Sequence, residues 1–204
     1  MSEDRVLLKA WQGGDDRAGR ALVGRHYDSV VRFFSTKDEA HAPDLIQRTF
    51  LKLIEARARL AEDSNVCAYL LGIARHVLMD HYRAMYQTGE RIDFSQRSVA
   101  DLRPTPSSVI AKERQTQLLL QGLRRLPLDT QVLLELYFWE DLTALEIGRI
   151  LQIPEGTVRT RLRRARQLLE QILGQLADSK EVLDNTLTNF DAWVAQVRKQ
   201  LTPR

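Results

Sequence analysis

The chain has 204 residues, 44% of them hydrophobic and 28% charged, which is the composition of a folded, soluble protein and not of a disordered one. Its formal net charge of +3 is too small to argue for a nucleic-acid partner by itself, so the placement of the charge matters more than the sum. One cysteine, Cys67, rules out an intramolecular disulfide and a cysteine-built zinc site, and fits a reducing, cytoplasmic setting.

The first residues, Met1 to Arg5, hold no apolar signal core, and no apolar run approaches the roughly 20 residues that span a bilayer, so no membrane insertion is expected. Gly and Pro are sparse while Leu, Arg, Ala and Gln abound, which favours helix in nearly every window. Asp4 to about Phe34 reads as two helices broken at Gly13-Gly14, with Val6, Leu7, Ala10 and Trp11, then Leu22, His26, Val30 and Phe33, at helical spacing. Ser35 to Pro43 reads as a polar loop. Pro43 suits a first helical turn and Asp44 suits the positive helix N-terminus. From Asp44 to about Arg59 the spacing predicts a helix with Ile46, Phe50, Leu53 and Ile54 inward and Asp44, Gln47, Arg48 and Lys52 on other faces. After a short polar break at Ala61 to Asn65, a third long helix is expected from Val66 to about Met85, with Tyr69, Leu70, Ile73, Val77 and Leu78 inward.

Gln87 to Ser108 has Gly89, Pro104 and Pro106 and no sustained periodicity, so it reads as a flexible linker. The expected fold is therefore all-α: a first helical domain over 1–86, a linker over 87–108, a second helical domain over 109–177, and a C-terminal amphipathic helix within 178–204. In the second domain Leu118, Leu119, Leu123 and Leu126 line one helix, and Thr130 to Trp139 forms another. The extension carries Leu183, Leu187, Phe190, Val194, Val197 and Leu201 at spacings of three and four. It reads either as a cover for an apolar patch or as a regulatory helix lying across both domains.

The most informative stretch is Asp141 to Arg166. Thr143 is a suitable N-cap with Glu146 placed to close a capping box; the first helix should end near Leu151, Ile153-Pro154 should make the turn, and a second helix should start near Glu155. That second helix has an apolar stripe at Val158, Leu162, Ala165, Leu169 and Ile172, and its other faces carry Arg159, Arg161, Arg163, Arg164 and Arg166. A helix-turn-helix needs this division, because one stripe anchors the helix while its N-terminal turns offer donors to the major groove. Arginine forks onto guanine O6 and N7 or pairs with phosphate. Glu155 can accept from cytosine or align neighbouring arginines. The plain alternative is a solvated basic helix, but acids for i,i+4 pairing are nearly absent until Glu170.

At Leu126-Pro127, Glu146-Ile147, Gly156-Thr157-Val158, Arg161-Leu162 and Arg164-Ala165-Arg166 the chain resembles the promoter-binding C-terminal domain of extracytoplasmic-function sigma factors. In the first domain, Asp44-Leu45-Ile46-Gln47 and Phe50 look like the family's helix that docks on the polymerase clamp, and Tyr69-Leu70, Ile73-Ala74-Arg75, Asp80 and Arg83 look like its helix that opens the −10 element. The resemblance covers about Asp4 to Gln175. It departs from the family pattern at Pro43, Arg48, Tyr69 and His76.

The resemblance implies a non-enzymatic initiation factor with core RNA polymerase and promoter DNA as partners, an anti-sigma protein as a further candidate partner, and no cofactor. It assigns polymerase binding to Asp44, Gln47, Arg48 and Phe50. It assigns −10 binding, including capture of a flipped base by the 61–65 loop, to Asp63, Ser64, Asn65, Arg75, His76 and Arg83. Reading of the −35 element falls to Glu155, Thr157, Arg159, Thr160, Arg161, Arg163, Arg164 and Arg166. The linker would thread into the RNA exit path.

Among the remaining features, His76 and His81 are five residues apart on a helix and fall on different sides, so no metal site is expected from them and Asp80. Asp80 and Arg83 read as a surface or interdomain pair. Tyr69, Tyr82 and Tyr86 suit either base stacking or the core, Trp11, Trp139 and Trp193 suit packing, and Cys67 reads as a small buried filler or a redox group. A stand-alone helix-turn-helix regulator and a protein adaptor with a basic helix are the competing readings. No phosphate loop, serine triad or spaced carboxylate pair supports an enzyme.

Overall fold

The computed structural model of the chain describes residues 3–61, 64–86, 92–102 and 114–176. The first four helices are α1 (Glu3–Gln12), α2 (Asp16–Ser35), α3 (Ala42–Ala56) and α4 (Val66–Met85). Local chemistry sets their ends. Gly14 takes a φ of +98° between α1 and α2, where a side chain would be strained, and the Asp15 carboxylate accepts from the Arg17 and Ala18 amides to cap α2. Pro43 lies in the first turn of α3, and Asn65 caps α4 by accepting from the Ala68 amide at 3.0 Å. Gly19 brings α1 against α2: a Cβ there would stand 2.4 Å from the Trp11 indole nitrogen.

The second set comprises α5 (Val99–Leu102), α6 (Arg114–Arg125), α7 (Leu128–Phe138), α8 (Ala144–Leu151) and α9 (Glu155–Leu176). Helix α7 buries Val132, Leu133, Leu134 and Leu136, residues that cover more than one face. A helix apolar on all sides must be enclosed. Here α9 covers one side and the first domain meets another, so the buried residues of both domains form one continuous core.

Several expectations change. Tyr69 and Ile54 point outward, 40% and 44% exposed, because α4 and α3 turn Leu71, Ala74, Leu45 and Thr49 inward instead. The α3 helix ends at Ala56 and tightens into a 3₁₀ turn over Arg57–Arg59, while α7 begins at Leu128 and ends at Phe138. On α9 the last buried stripe position is Leu173, with Ile172 only half-buried. Part of the expected linker is packed: Phe94, Val99 and Leu102 are buried, the Arg97 and Phe94 carbonyls accept from the Leu128 and Asp129 amides, and Tyr86 donates to the Leu102 carbonyl. Periodicity misses this stretch because its turn is held by side chains, with Asp93 accepting from Ser95 and Gln96. The linker residues 87–91 and 103–108, including Gly89, Pro104 and Pro106, and the C-terminal extension 178–204 with Trp193 lie outside the described residues. Among the described residues no helix is long and apolar enough to cross a membrane.

Glycine also sets the helix-turn-helix corner. A Cβ on Gly148 would lie 2.7 Å from the Ile153 carbonyl oxygen, a backbone atom that cannot swing away, whereas a Cβ on Gly24 in α2 meets nothing within 4 Å. Gly148→Ala should therefore lower stability by about 1–3 kcal/mol. Gly24→Ala should raise it by about 0.8–1 kcal/mol through helix propensity. Urea denaturation of the two variants, compared with the parent, checks the opposite signs.

Candidate nucleic-acid interface

The helix-turn-helix forms as its residues predict. The Thr143 hydroxyl accepts from the Glu146 amide at 3.3 Å, and Glu146 returns the bond by accepting from the Thr143 amide at 2.8 Å. Gln152 ends α8 in the left-handed conformation, and the Pro154 carbonyl receives the Thr157 and Val158 amides as α9 begins. Val158, Ala165, Leu169 and Leu173 then seal one side of α9 into the second domain.

The opposite faces stay in solvent. Glu155 pairs with Arg159 at 2.6 Å and Glu170 with Arg166 at 3.2 Å, so the acid at the start of the helix aligns its neighbour. Arg161, Arg163 and Arg164 are exposed between those two pairs, Thr157 is half-buried, and the Thr160 hydroxyl donates to the Gly156 carbonyl. A polycationic surface about two turns long results, suited to phosphates and to guanine edges.

The residues expected at the −10 element behave differently. Asn65 donates to Glu146 of α8 at 2.6 Å, and Arg75 donates to Asp129 of α7 at 2.9 Å, so two of them are held by the second domain. The Arg75 Nε is buried with no hydrogen-bond partner. His76 is exposed and donates to the Gly72 carbonyl, and Arg83 pairs with Asp80 while lying over the Phe94 ring. Ser64, Asn65, Tyr69 and His76 line a cleft of about 390 Å³ whose far wall is Glu146, Arg149 and Ile150. Asp63 lies outside the described residues.

On α3, Asp44, Gln47 and Arg48 are exposed, with Asp44 and Arg48 paired at 2.8 Å. Phe50 is half-buried and stacks on Tyr27, which with exposed Leu51 and Ile54 extends the apolar shelf beyond the residues the sequence singled out.

What the sequence did not reveal is the buried polar contact between the domains. Lys37 is fully buried: its ammonium donates to Glu135, to the Phe33 carbonyl at 2.9 Å and to the Thr36 hydroxyl at 3.2 Å. Glu135 also accepts from Gln131 and Thr36, and Arg124 donates to the Thr36 carbonyl at 2.9 Å. Alongside, Glu140 accepts from Arg32 at 2.7 Å and from Ser29 at 2.7 Å. Burial pushes the Lys37 ammonium below the usual lysine range, against the pull of Glu135. The one available signal was an acid, Glu135, set among Val132, Leu133, Leu134 and Leu136 in the apolar part of its helix, which demands a partner. Burial, reinforced by Glu140, also pushes the Cys67 thiol up to about 12, which keeps it protonated and unreactive.

Residues 22–86 match sigma-70 region 2 and residues 116–169 match sigma-70 region 4. The RNA polymerase sigma-H factor of Pseudomonas aeruginosa is 28% identical over 189 residues, covering 86% of this chain and 96% of that protein. The ECF RNA polymerase sigma-E factor of Escherichia coli K12 is 27% identical over 182 residues, covering 83% and 95%. The sigma factor RpoE from Bartonella quintana, solved with the anti-sigma factor NepR, has the same fold, with a TM-score of 0.60 at 19% identity over 78% of this chain and 98% of that one. Sigma-70 region 2 followed by sigma-70 region 4 on one chain is the make-up of a sigma factor, which directs RNA polymerase to promoters and initiates transcription. This chain belongs to the extracytoplasmic-function sigma factors.

Glu140→Ala removes the carboxylate from Arg32 and Ser29 while leaving each domain's own core intact. It should weaken closure by about 3 kcal/mol. Fluorophores on α2 and α9 should move apart in the variant, and an unchanged transfer efficiency would show that Glu140 does not hold the domains together.

Proposed function

We propose that residues 1–86 grip core polymerase and bind the −10 element, that 109–177 read the −35 element, and that 87–108 connect them. The observation that carries this reading is the seating of α9: one face is sealed in the second domain while Arg161, Arg163 and Arg164 stand in solvent beside the helix-turn-helix corner. Arg159, Thr160 and Arg163 then face bases or their phosphates, with Glu155 orienting Arg159, and Thr157, Arg161, Arg164 and Arg166 serve the backbone. Asp44, Gln47, Arg48 and Phe50 present the polymerase-docking face. Asp63, Ser64, Asn65, Arg75, His76 and Arg83 meet the −10 strand.

Two of these last residues are engaged by Glu146 and Asp129, so the domains must part before promoter opening. The sigma factor of Bartonella quintana was solved with an anti-sigma factor, and we extend a partner of that class to this chain. The protein acts in the cytoplasm without catalysis of its own.

Reconstituted run-off transcription with core polymerase on a promoter library tests the reading and yields the consensus. Arg163→Ala should relax discrimination at one base pair by about 1–3 kcal/mol. An equal loss on every sequence would assign that side chain to phosphate instead. Asp44→Ala should lower affinity for core polymerase several-fold and leave binding to −35 duplex unchanged, as read by pulldown and by fluorescence anisotropy.

A further inference from the structure

We propose that Asp38, His41 and His81 form a binding site for a divalent transition-metal ion of the zinc class. The site lies where the loop after α2 meets the far end of α4. The Asp38 side chain is 1% exposed, with one carboxylate oxygen 2.9 Å from His41 Nδ1 and the other 3.0 Å from His81 Nε2. The two rings stand 4.8 Å apart and tilted, and one donor atom from each of the three residues falls within 4.8 Å of the others. His76 takes no part: it is exposed and bonded to its own helix at Gly72.

The donor set selects the ion. Two imidazole nitrogens and one carboxylate oxygen suit zinc, nickel or copper, whereas calcium and magnesium call for oxygen throughout. Zinc–nitrogen bonds are about 2.0–2.1 Å long, so tetrahedral donors sit roughly 3.3 Å apart, and the donors here, which lie within 4.8 Å of one another, must draw together by side-chain rotation to surround an ion. Each ring keeps one proton on its other nitrogen, His41 Nε2 and His81 Nδ1, and any proton held between ring and carboxylate leaves to solvent as the ion enters. The His41 side chain is 43% exposed, which provides a route in and leaves the fourth position to water.

Two features oppose or extend the site. Arg124 lies near enough to feel the Asp38 charge, so binding is weaker than an isolated carboxylate would give. The same loop presents Thr36 and Lys37 to the second domain, so an ion would brace the segment on which the domains meet.

The test uses the full-length chain with no histidine tag. Calorimetric titration with Zn²⁺ should show one ion per chain. Co²⁺ should give visible d–d bands without a thiolate charge-transfer band, since Cys67 is remote. His41→Ala, on the exposed side, and His81→Ala should each weaken Zn²⁺ binding by about tenfold or more. His76→Ala should leave it unchanged, with circular dichroism confirming the fold of each variant. The proposal is overturned if Zn²⁺ does not bind, if His41→Ala binds as the parent does, or if His76→Ala is the variant that loses the ion. His41→Ala remains decisive should His81→Ala fail to fold.

Discussion

Everything about the arrangement of the two domains turns on the Lys37 ammonium resting on the Glu135 carboxylate, both out of water. Taking two ions from water costs several kcal/mol each, and their attraction inside roughly offsets that cost. Such a pair adds little net stability. What it does is make partial separation expensive, because either ion alone in an apolar setting is far worse than both together or both hydrated. Closure is therefore close to all-or-none. Full separation returns both ions to water, which an equivalent seam of leucines would not tolerate as readily. Glu140 with Arg32 and Ser29, and Arg124 on the Thr36 carbonyl, repeat the same chemistry nearby.

The closed arrangement treats the two proposed DNA-binding surfaces unequally. The arginines of α9 face solvent, so long-range attraction to duplex DNA is available without any rearrangement. Asn65 and Arg75 are spent on Glu146 and Asp129. The Arg75 Nε has no partner in this setting, so its guanidinium stands to gain bonds when α7 withdraws. On the proposed assignment of Asn65 and Arg75 to the −10 strand, strand capture waits on a separation that duplex contact by α9 does not require.

Much of this was legible in the residues. Caps carry their own local chemistry, so Thr143, Glu146 and the break at Gly13-Gly14 placed their helices correctly, and the limits of α4 and the start of α9 fell where the residues placed them. The direction of Tyr69 was not legible, because α4 meets α2, α3 and α8 at once and a single stripe cannot describe three neighbours. The packing of Phe94, Val99 and Leu102 was hidden by their irregular spacing. Lys37 and Glu135 are 98 positions apart, and His81 is 40 or more from Asp38 and His41, so nothing local brings either set together. Five-residue spacing correctly separated His76 from His81 but said nothing of the loop His81 meets.

The contact between Asn65 and Glu146 shows why opening need not damage either domain. Asn65 uses its Oδ1 to cap α4 and its Nδ2 to reach Glu146. Glu146 uses one carboxylate oxygen for the Thr143 capping box and the other for Asn65. Burial pushes the Glu146 pKa up, but the hydrogen bonds from Asn65 and Thr143 outweigh it and leave the carboxyl below its usual range. That sign means the bonds are fully present at neutral pH and fade only as pH falls through the carboxylate range. At this contact, parting the domains breaks one exposed hydrogen bond, worth about 1 kcal/mol, and leaves both helix caps in place. It also frees the Asn65 amide proton that Glu146 holds, at the mouth of the cleft, where the proposed −10 role would offer it an acceptor on an unstacked base.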